Sequence, residues 1–262
     1  MEQVFSRLRR FNIIMGALHL VQAILMLIVA NGAIQKISEF APEIKQFYIT
    51  YNPTTQSLET TNRVLFELPF GVGVALFLFL SAVAHALISL PKKFNAIYNA
   101  DLQKNINKFR WFEYALSSSV MIVLIATLFG IYDIVSLMLI FVVNATMNLF
   151  GLVMEQLNTN RDEGKIKWGP FIWGSFAGIA PWAAIIIYMT GTGNYDQVPW
   201  FVWAIVGTYF VAFNTFPINM ILQYKKVGKW RDYLYGERVY IILSLVAKTI
   251  LAWLVLFGAM QP

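Results

Sequence analysis

The stretch that decides the fold is Ser244–Trp253, which reads SLVAKTILAW and places Lys248 alone in an apolar run of about 239–260. That run is long enough to cross the hydrocarbon core of a bilayer, which takes about 20 residues. A charged lysine at the centre of a membrane helix costs about 3 kcal/mol, so its presence there points to a function. An amine in apolar surroundings is a candidate for forming a Schiff base with a carbonyl ligand.

Six further apolar stretches of similar length precede this run, and the seven together predict an all-α membrane protein built as a seven-helix bundle. The composition agrees, because 58% of the residues are hydrophobic, only 13% are charged and the mean hydropathy is +0.60. A soluble domain would carry about 25% charged residues. The predicted spans, within one domain covering 1–262, are about 11–30, 68–90, 111–130, 134–154, 169–190, 198–220 and 239–260.

The 20 Lys and Arg residues are divided unevenly between the two ends of these spans. Sixteen lie in the N-terminal tail and in the second, fourth and sixth connections with their flanks, whereas Lys36, Lys45 and Arg63 lie on the opposite side. The positive-inside rule then predicts a multi-pass cell-membrane protein with a cytoplasmic N-terminus and an extracellular C-terminus. The net charge of +6 is thereby explained by topology, and no nucleic-acid partner is expected.

Two segments at the start of the chain have alternative interpretations. The first apolar run follows a basic tail like a signal peptide ending near 29–33, but it is longer than a usual signal core, which favours an uncleaved span. The first outer connection is long, and its segment 46–55 reads QFYITYNPTT, a β-rich run into a turn. These residues predict a β-hairpin on the outer surface, and the alternative is a disordered loop.

Few ionisable side chains besides Lys248 fall within the spans. His19, His85 and Glu113 lie in the half nearer the N-terminal side or at the midplane, at the 1.5 Å rise of a helix. Glu113 is the natural partner for a buried amine, although it lies close to the start of the third predicted span. It becomes an interior residue if that helix begins earlier, with Lys108 and Arg110 extending outward to the interface. The alternative is an interfacial glutamate capping the first turn.

Polar side chains also recur at helical spacing on single faces. Asn144, Asn148, Gly151 and Glu155 form one stripe, and Tyr240, Ser244 and Lys248 form another. Such residues either hold helices together by hydrogen bonds or line a cavity. The histidines are either structural residues or members of a hydrated polar cluster. The aromatic residues of the last three spans either pack or surround a flat ligand.

Enzymatic and metal chemistry find no support in the sequence. There is no cysteine, no His/Glu pair at zinc spacing, no P-loop and no GxSxG motif. We therefore expect neither an enzyme nor a metal site.

Two long motifs give the chain a specific resemblance. Phe109–Met121 (FRWFEYALSSSVM) is similar to the third helix of the heliorhodopsins, and Gly236–Lys248 (GERVYIILSLVAK) is similar to their seventh. Leu18–Leu20, Gly178–Trp182 and Phe213–Asn214 fit as well. The resemblance covers the whole chain, and the orientation predicted from the charges is also that of this family of retinal proteins.

The resemblance implies all-trans retinal bound covalently to Lys248 as a protonated Schiff base, with Glu113 as the counterion. It implies a pocket near the linkage and two polar regions. The pocket residues are Tyr114, Ser118, Met121, Asn144, Trp182, Phe210, Phe213 and Ser244. His19 and His85 would form a polar cluster near the Schiff base, and Arg110, Glu155 and Glu237 would face the cytoplasm. The first outer loop would be the hairpin of a homodimer interface. Pro217 has no assigned role.

The function that follows is light sensing, in which isomerisation from all-trans to 13-cis drives a slow conformational signal to a cytoplasmic partner of unknown identity. Two alternatives stay open. One is a light-gated or light-driven proton or ion transporter. A pump is disfavoured because the outer half of the bundle offers little besides Glu67 near its edge, but this argument does not apply to a proton channel. The other is a non-photochemical seven-helix receptor in which Lys248 and Glu113 are a plain ion pair.

Overall fold

The described part of the chain is eight helices and one β-hairpin. The structure is a computed structural model, and it describes residues 2–33, 41–159, 165–191, 193 and 200–259. Lys36 and Arg161, two of the charges used to predict topology, lie outside the described residues. The elements are α1 (Glu2–Ile28, followed by a π-helical turn at Val29–Ala33), β1 (Glu43–Asn52), β2 (Ser57–Glu67), α2 (Phe70–Ser89), α3 (Lys92–Gln103), α4 (Lys108–Leu128), α5 (Ile134–Leu157), α6 (Gly169–Thr190), α7 (Trp200–Tyr224) and α8 (Tyr233–Ala259), with a 3-10 turn at Gly228–Arg231.

Each of the seven predicted spans coincides with one long helix. In the described residues α1, α2, α4, α5, α6 and α7 are long and apolar enough to cross a membrane. The 27-residue α8 carries Lys248. Consecutive spans pack side by side from α1 to α6, α7 packs on α8, and α8 returns to contact α1 and α2. Outward-facing side chains such as Met138 and Phe176 are apolar and exposed, as lipid-facing residues are.

The third span begins earlier than the sequence indicated, which decides the depth of Glu113. Asn107 caps α4, because its side-chain oxygen accepts a hydrogen bond from the Arg110 backbone N–H. The helix therefore starts at Lys108 and not near 111, and Glu113 lies in its second turn. The sequence analysis had left this open, and the earlier start places Glu113 inside the bundle.

A short helix that the sequence analysis did not predict joins the second and third spans. α3 is amphipathic, with Tyr98 and Leu102 buried against the bundle and Lys92 and Lys93 exposed. Tyr98 and Leu102 are four residues apart and so share one face of a helix. The preceding Pro91 separates α3 from α2, because a proline cannot continue the hydrogen bonding of a helix. α3 thus covers the N-terminal side of the bundle.

The predicted hairpin is confirmed. β1 and β2 pair antiparallel, with Asn52 opposite Ser57 at the turn, so this segment is not a disordered loop. Ile44 anchors the hairpin in the main apolar core, and the Lys45 backbone N–H donates to the Tyr132 carbonyl at 2.9 Å. The remainder, including Glu67 at the end of β2, is largely exposed. The hairpin is therefore attached at one end and available to solvent or a partner along most of its length.

Candidate functional site

The centre of the site is a three-residue cluster that joins α2, α4 and α8. Lys248 Nζ lies 2.5 Å from Glu113 Oε1 and donates to Ser81 Oγ at 2.6 Å. The Ser81 hydroxyl lies 2.6 Å from the same carboxylate oxygen. The side chains of Lys248 and Glu113 are only 4% and 9% exposed. Burial of this kind removes both charges from water, so each depends on partners within the protein, chiefly the opposite charge and Ser81.

Two histidines lie beside this cluster. His19 and His85 stack with ring centroids 5.7 Å apart. The Nδ1 of His85 is 2.9 Å from Asn12 Oδ1, whereas neither ring nitrogen of His19 has a hydrogen-bond partner among the described residues. His85 shares a cavity of about 40 Å³ with Ser81 and Glu113, which is room for about one water molecule.

A second buried charge cluster lies nearer the N-terminal side of the bundle. The Arg110 guanidinium hydrogen-bonds to Glu155 on α5 and to Glu237 on α8. Asn107 donates to both carboxylates, at 2.9 Å from its backbone N–H and 2.6 Å from its amide. Trp111 Nε1 donates to Glu155 at 2.7 Å. Arg110 therefore does not extend outward to the interface as the earlier helix start suggested, although it does lie together with Glu155 and Glu237, which the resemblance had grouped with it. Two carboxylates hold it inside by charge-assisted hydrogen bonds.

A chain of hydrogen bonds runs from the charge cluster to the histidine pair through Tyr98 of the short helix α3. The Tyr98 hydroxyl donates to Glu237 at 3.3 Å and accepts from the Asn12 amide at 3.4 Å. Asn12 contacts His85, so the path runs from the charge cluster to the histidine pair. Burial raises the pKa of Tyr98 well above its usual value, and the nearby Glu237 carboxylate adds to the shift. Tyr98 therefore stays a neutral hydrogen-bonding link.

A cavity of about 590 Å³ extends from Lys248 between α4, α5, α6 and α7. Its volume falls in the range of small-molecule sites. It has room in part because Gly178 lacks a side chain, since a Cβ there would lie 2.7 Å from Met147 Sδ. Pro217 lies within α7, which stays helical around it, and also lines the cavity. The wall is mostly apolar and aromatic, as suits a long flat ligand.

Most of the predicted pocket residues meet at this cavity, and a few do not. Those that line it are Tyr114, Ser118, Met121, Trp182, Phe210, Phe213 and Lys248. Asn144 stands behind the wall and donates to Ser118 Oγ at 2.8 Å and to Ser119 Oγ at 3.0 Å. Ser244 and Glu113 line the smaller cavity instead. Asn144 therefore positions the wall residue Ser118 by a hydrogen bond and does not itself line the cavity.

Sequence reasoning missed several members of the site. Ser81 was not singled out, although it precedes His85 by four residues and so shares its helix face. Asn12, Tyr98 and Asn107 were missed because Asn12 stands alone in an apolar span and the other two lie in a region read as a loop. Trp111 and Tyr209 were not distinguished from packing aromatics. Their roles depend on helix rotation, which one sequence does not give.

The comparison with known proteins is specific. A family model described as Heliorhodopsin matches residues 8–260, nearly the whole chain. The search of curated proteins finds no match.

Proposed function

The chain belongs to the heliorhodopsin family of rhodopsin-like retinal proteins, and on that premise we propose that it is a light sensor whose retinal is linked covalently to Lys248. The family is a seven-helix bundle and implies a retinal chromophore. The observation that carries the proposal is that Lys248, which lies alone in the middle of the apolar part of α8, lines a large apolar cavity. A primary amine at the wall of an apolar, aromatic cavity suits an aldehyde on a polyene chain.

The residues around Lys248 support an assignment of roles. Retinal supplies the visible absorption and the change from the all-trans to the 13-cis form. Glu113, 2.5 Å from the lysine nitrogen, balances the positive charge held there. Ser81 fixes the position of both groups, and Glu113 and the histidine pair are the nearest groups that can receive a proton from the nitrogen.

The distribution of buried charge favours a sensor over a pump. Among the described residues, the buried charged side chains lie at the depth of Lys248 or on the N-terminal side of it, at Asp101, Arg110, Glu155 and Glu237. The opposite half is packed with apolar side chains such as Phe70, Val74 and Leu256. A pump needs polar groups on both sides of the nitrogen that it protonates. We propose the N-terminal side as the cytoplasmic side, in accord with the charge distribution.

A second copy of the chain is the partner that we propose for the hairpin. Ile49, Tyr51 and Leu58 are more than half exposed on it. Exposed apolar side chains gathered on one element are typical of an association surface. A cytoplasmic signalling partner of unknown identity would bind the other end of the bundle.

The proposal is tested by the visible spectrum of protein purified after expression with all-trans retinal, for the natural chain and for Lys248→Ala. We expect a visible band in the natural chain that hydroxylamine bleaches under light, and no band in the variant. A visible band retained in Lys248→Ala would reject the linkage. No band in well-folded natural protein would favour the non-photochemical receptor.

Transport is the other candidate, and vesicles separate it from sensing. In liposomes that hold the coloured protein, we expect no light-induced change of internal pH, with or without an applied potential. A steady light-driven pH change that a protonophore abolishes would show pumping, and one that follows the applied potential would show a channel.

A further inference from the structure

Two buried polar groups in the wall of the large cavity have no role in the proposed attachment of retinal. The indole Nε1 of Trp182 on α6 and the hydroxyl of Tyr209 on α7 have no hydrogen-bond partner among the described residues. Tyr209 is 1% exposed and Trp182 is 9% exposed. Both residues line the cavity that contains Lys248.

Buried polar groups of this kind need an explanation, because a donor removed from water without a partner destabilises the fold. Packing alone does not require them here. The neighbouring wall positions carry Phe210 and Phe213, whose rings contact Trp182 at centroid distances of 5.4 and 5.8 Å. A phenylalanine at 209 would fill the same space without an unpaired hydroxyl.

The two groups belong to one small region of the wall, on helices other than the two that supply the partners of the lysine nitrogen. The rings of Trp182 and Tyr209 lie 4.9 Å apart. Lys248 Nζ, in contrast, is held by Ser81 on α2 and Glu113 on α4, and the cavity extends from Lys248 between α4, α5, α6 and α7. A ligand tied to that nitrogen by its aldehyde end would therefore bring its far end towards α6 and α7.

The chemistry of the two groups defines what they would bind. An indole N–H only donates a hydrogen bond, and a tyrosine hydroxyl donates or accepts. Their shared partner must therefore be an acceptor, and a carbonyl or hydroxyl oxygen is the acceptor that a small organic ligand most readily offers. A plain hydrocarbon ring would leave both groups unpaired.

We propose that Trp182 Nε1 and Tyr209 Oη form a subsite for an oxygen on the ring of the chromophore, so that the protein prefers a retinal with a ring keto or hydroxyl group over unsubstituted retinal. This inference rests on the proposed function, since it assumes that retinal occupies the cavity with its aldehyde end at Lys248.

A competition experiment tests the subsite. Protein made without retinal is incubated with an equal mixture of all-trans retinal and all-trans 4-oxoretinal, and in parallel with a mixture of retinal and 3-hydroxyretinal. The bound chromophores are then extracted as oximes and measured. We expect at least one ring-oxygenated form to exceed retinal by about five- to tenfold, the effect of a buried hydrogen bond.

Two variants and a matched control locate the effect. Tyr209→Phe and Trp182→Phe should each bring the ratio of the two bound forms closer to one. Trp173→Phe is the control, because Trp173 is an indole on the same helix α6 that is 61% exposed and does not line the cavity. Its ratio should match that of the natural chain. Each variant is first shown to be folded by its visible band with retinal alone.

The outcomes distinguish a failure of the proposed subsite from a failure of the proposed function. A natural chain that forms a coloured complex with retinal but binds all three forms equally would overturn the subsite and leave the retinal linkage standing. A preference that survives unchanged in both Phe variants would also overturn it. If no retinal form gives a visible band, the proposed function fails and the subsite fails with it.

Discussion

Ser81 Oγ on α2 lies 2.6 Å from Glu113 Oε1 on α4, so one hydroxyl joins the second and third spans at the depth of Lys248. The same hydroxyl accepts from Lys248 Nζ at 2.6 Å. A carboxylate and an amine buried together need further hydrogen bonds to offset their loss of water. Ser81 supplies one, and it also fixes the distance between the two charges.

The charge of Glu113 should set the colour of the protein. In Glu113→Gln the negative charge beside Lys248 Nζ is lost, so the positive charge on the linkage is less localised and the absorption maximum should move to longer wavelength. Glu113→Asp keeps the charge and should shift the maximum less. Spectra of the two variants at the same pH make the measurement. Identical maxima in Glu113→Gln and the natural chain would remove Glu113 from this role.

The Ser81 hydroxyl should have a smaller effect in the same direction. Ser81→Ala removes a hydrogen bond to the carboxylate and to the amine but leaves both charges, so we expect a shift smaller than that of Glu113→Gln. Ser89→Ala is the matched control, because Ser89 is buried on the same helix and its hydroxyl has no partner among the described residues. Equal spectra for the two serine variants would contradict the arrangement described for Ser81.

Arg110 should be essential for stability. Arg110→Met leaves Glu155 and Glu237 buried without their cation, and breaking a buried pair in this way costs about 3–5 kcal/mol. The temperature at which the visible band is lost should fall accordingly. Lys108→Met is the control, because that pair with Asp101 is partly exposed and surface pairs contribute about 1 kcal/mol or less.

A further variant separates charge from packing in this cluster. Adding Glu155→Gln and Glu237→Gln to Arg110→Met removes the unpaired carboxylates and should recover part of the lost stability. If Arg110→Met and Lys108→Met lose the band at the same temperature, the buried cluster is not what holds this end of the bundle.

Gly151 should be intolerant of a side chain. A Cβ at this position would overlap the Trp111 ring, and Trp111 donates to Glu155. Gly151→Ala must displace that ring, and overpacking of this kind costs about 1–3 kcal/mol. Gly207→Ala on α7 is the control, because a Cβ there meets nothing within 4 Å. Equal thermal stability of the two variants would contradict the tight contact.

The sequence could predict those features that depend on the length of the apolar runs, the distribution of charged residues and the periodicity of hydrophobic residues. The apolar run around Lys248 and the six before it give the helices, because crossing a bilayer demands a minimum length. The β-rich segment before Pro53 gives the hairpin. Glu113 was identified as the partner of Lys248 by elimination among few carboxylates, and its depth was uncertain by the three residues that the Asn107 cap adds to α4.

What the sequence could not predict depends on lateral geometry. Ser81 becomes important because the rotation of α2 turns it towards α4. Its spacing from His85 indicates a shared helix face but not the direction in which that face points. The outward direction expected for Arg110 was wrong because the two carboxylates that hold it lie 45 and 127 residues away along the chain, and only the resemblance had grouped the three residues. Tyr98 was missed since the amphipathic pattern of α3 is only 12 residues long and sits among basic residues typical of a loop.

The central claim is tested most directly by finding the attachment atom. The coloured protein is reduced with borohydride, which converts a Schiff base to a stable amine, then digested and analysed by mass spectrometry. We predict one retinyl group per chain, on the peptide that contains Lys248, and none in Lys248→Ala treated in parallel. A retinyl group on another lysine, or a coloured protein with no adduct at Lys248, would contradict the account.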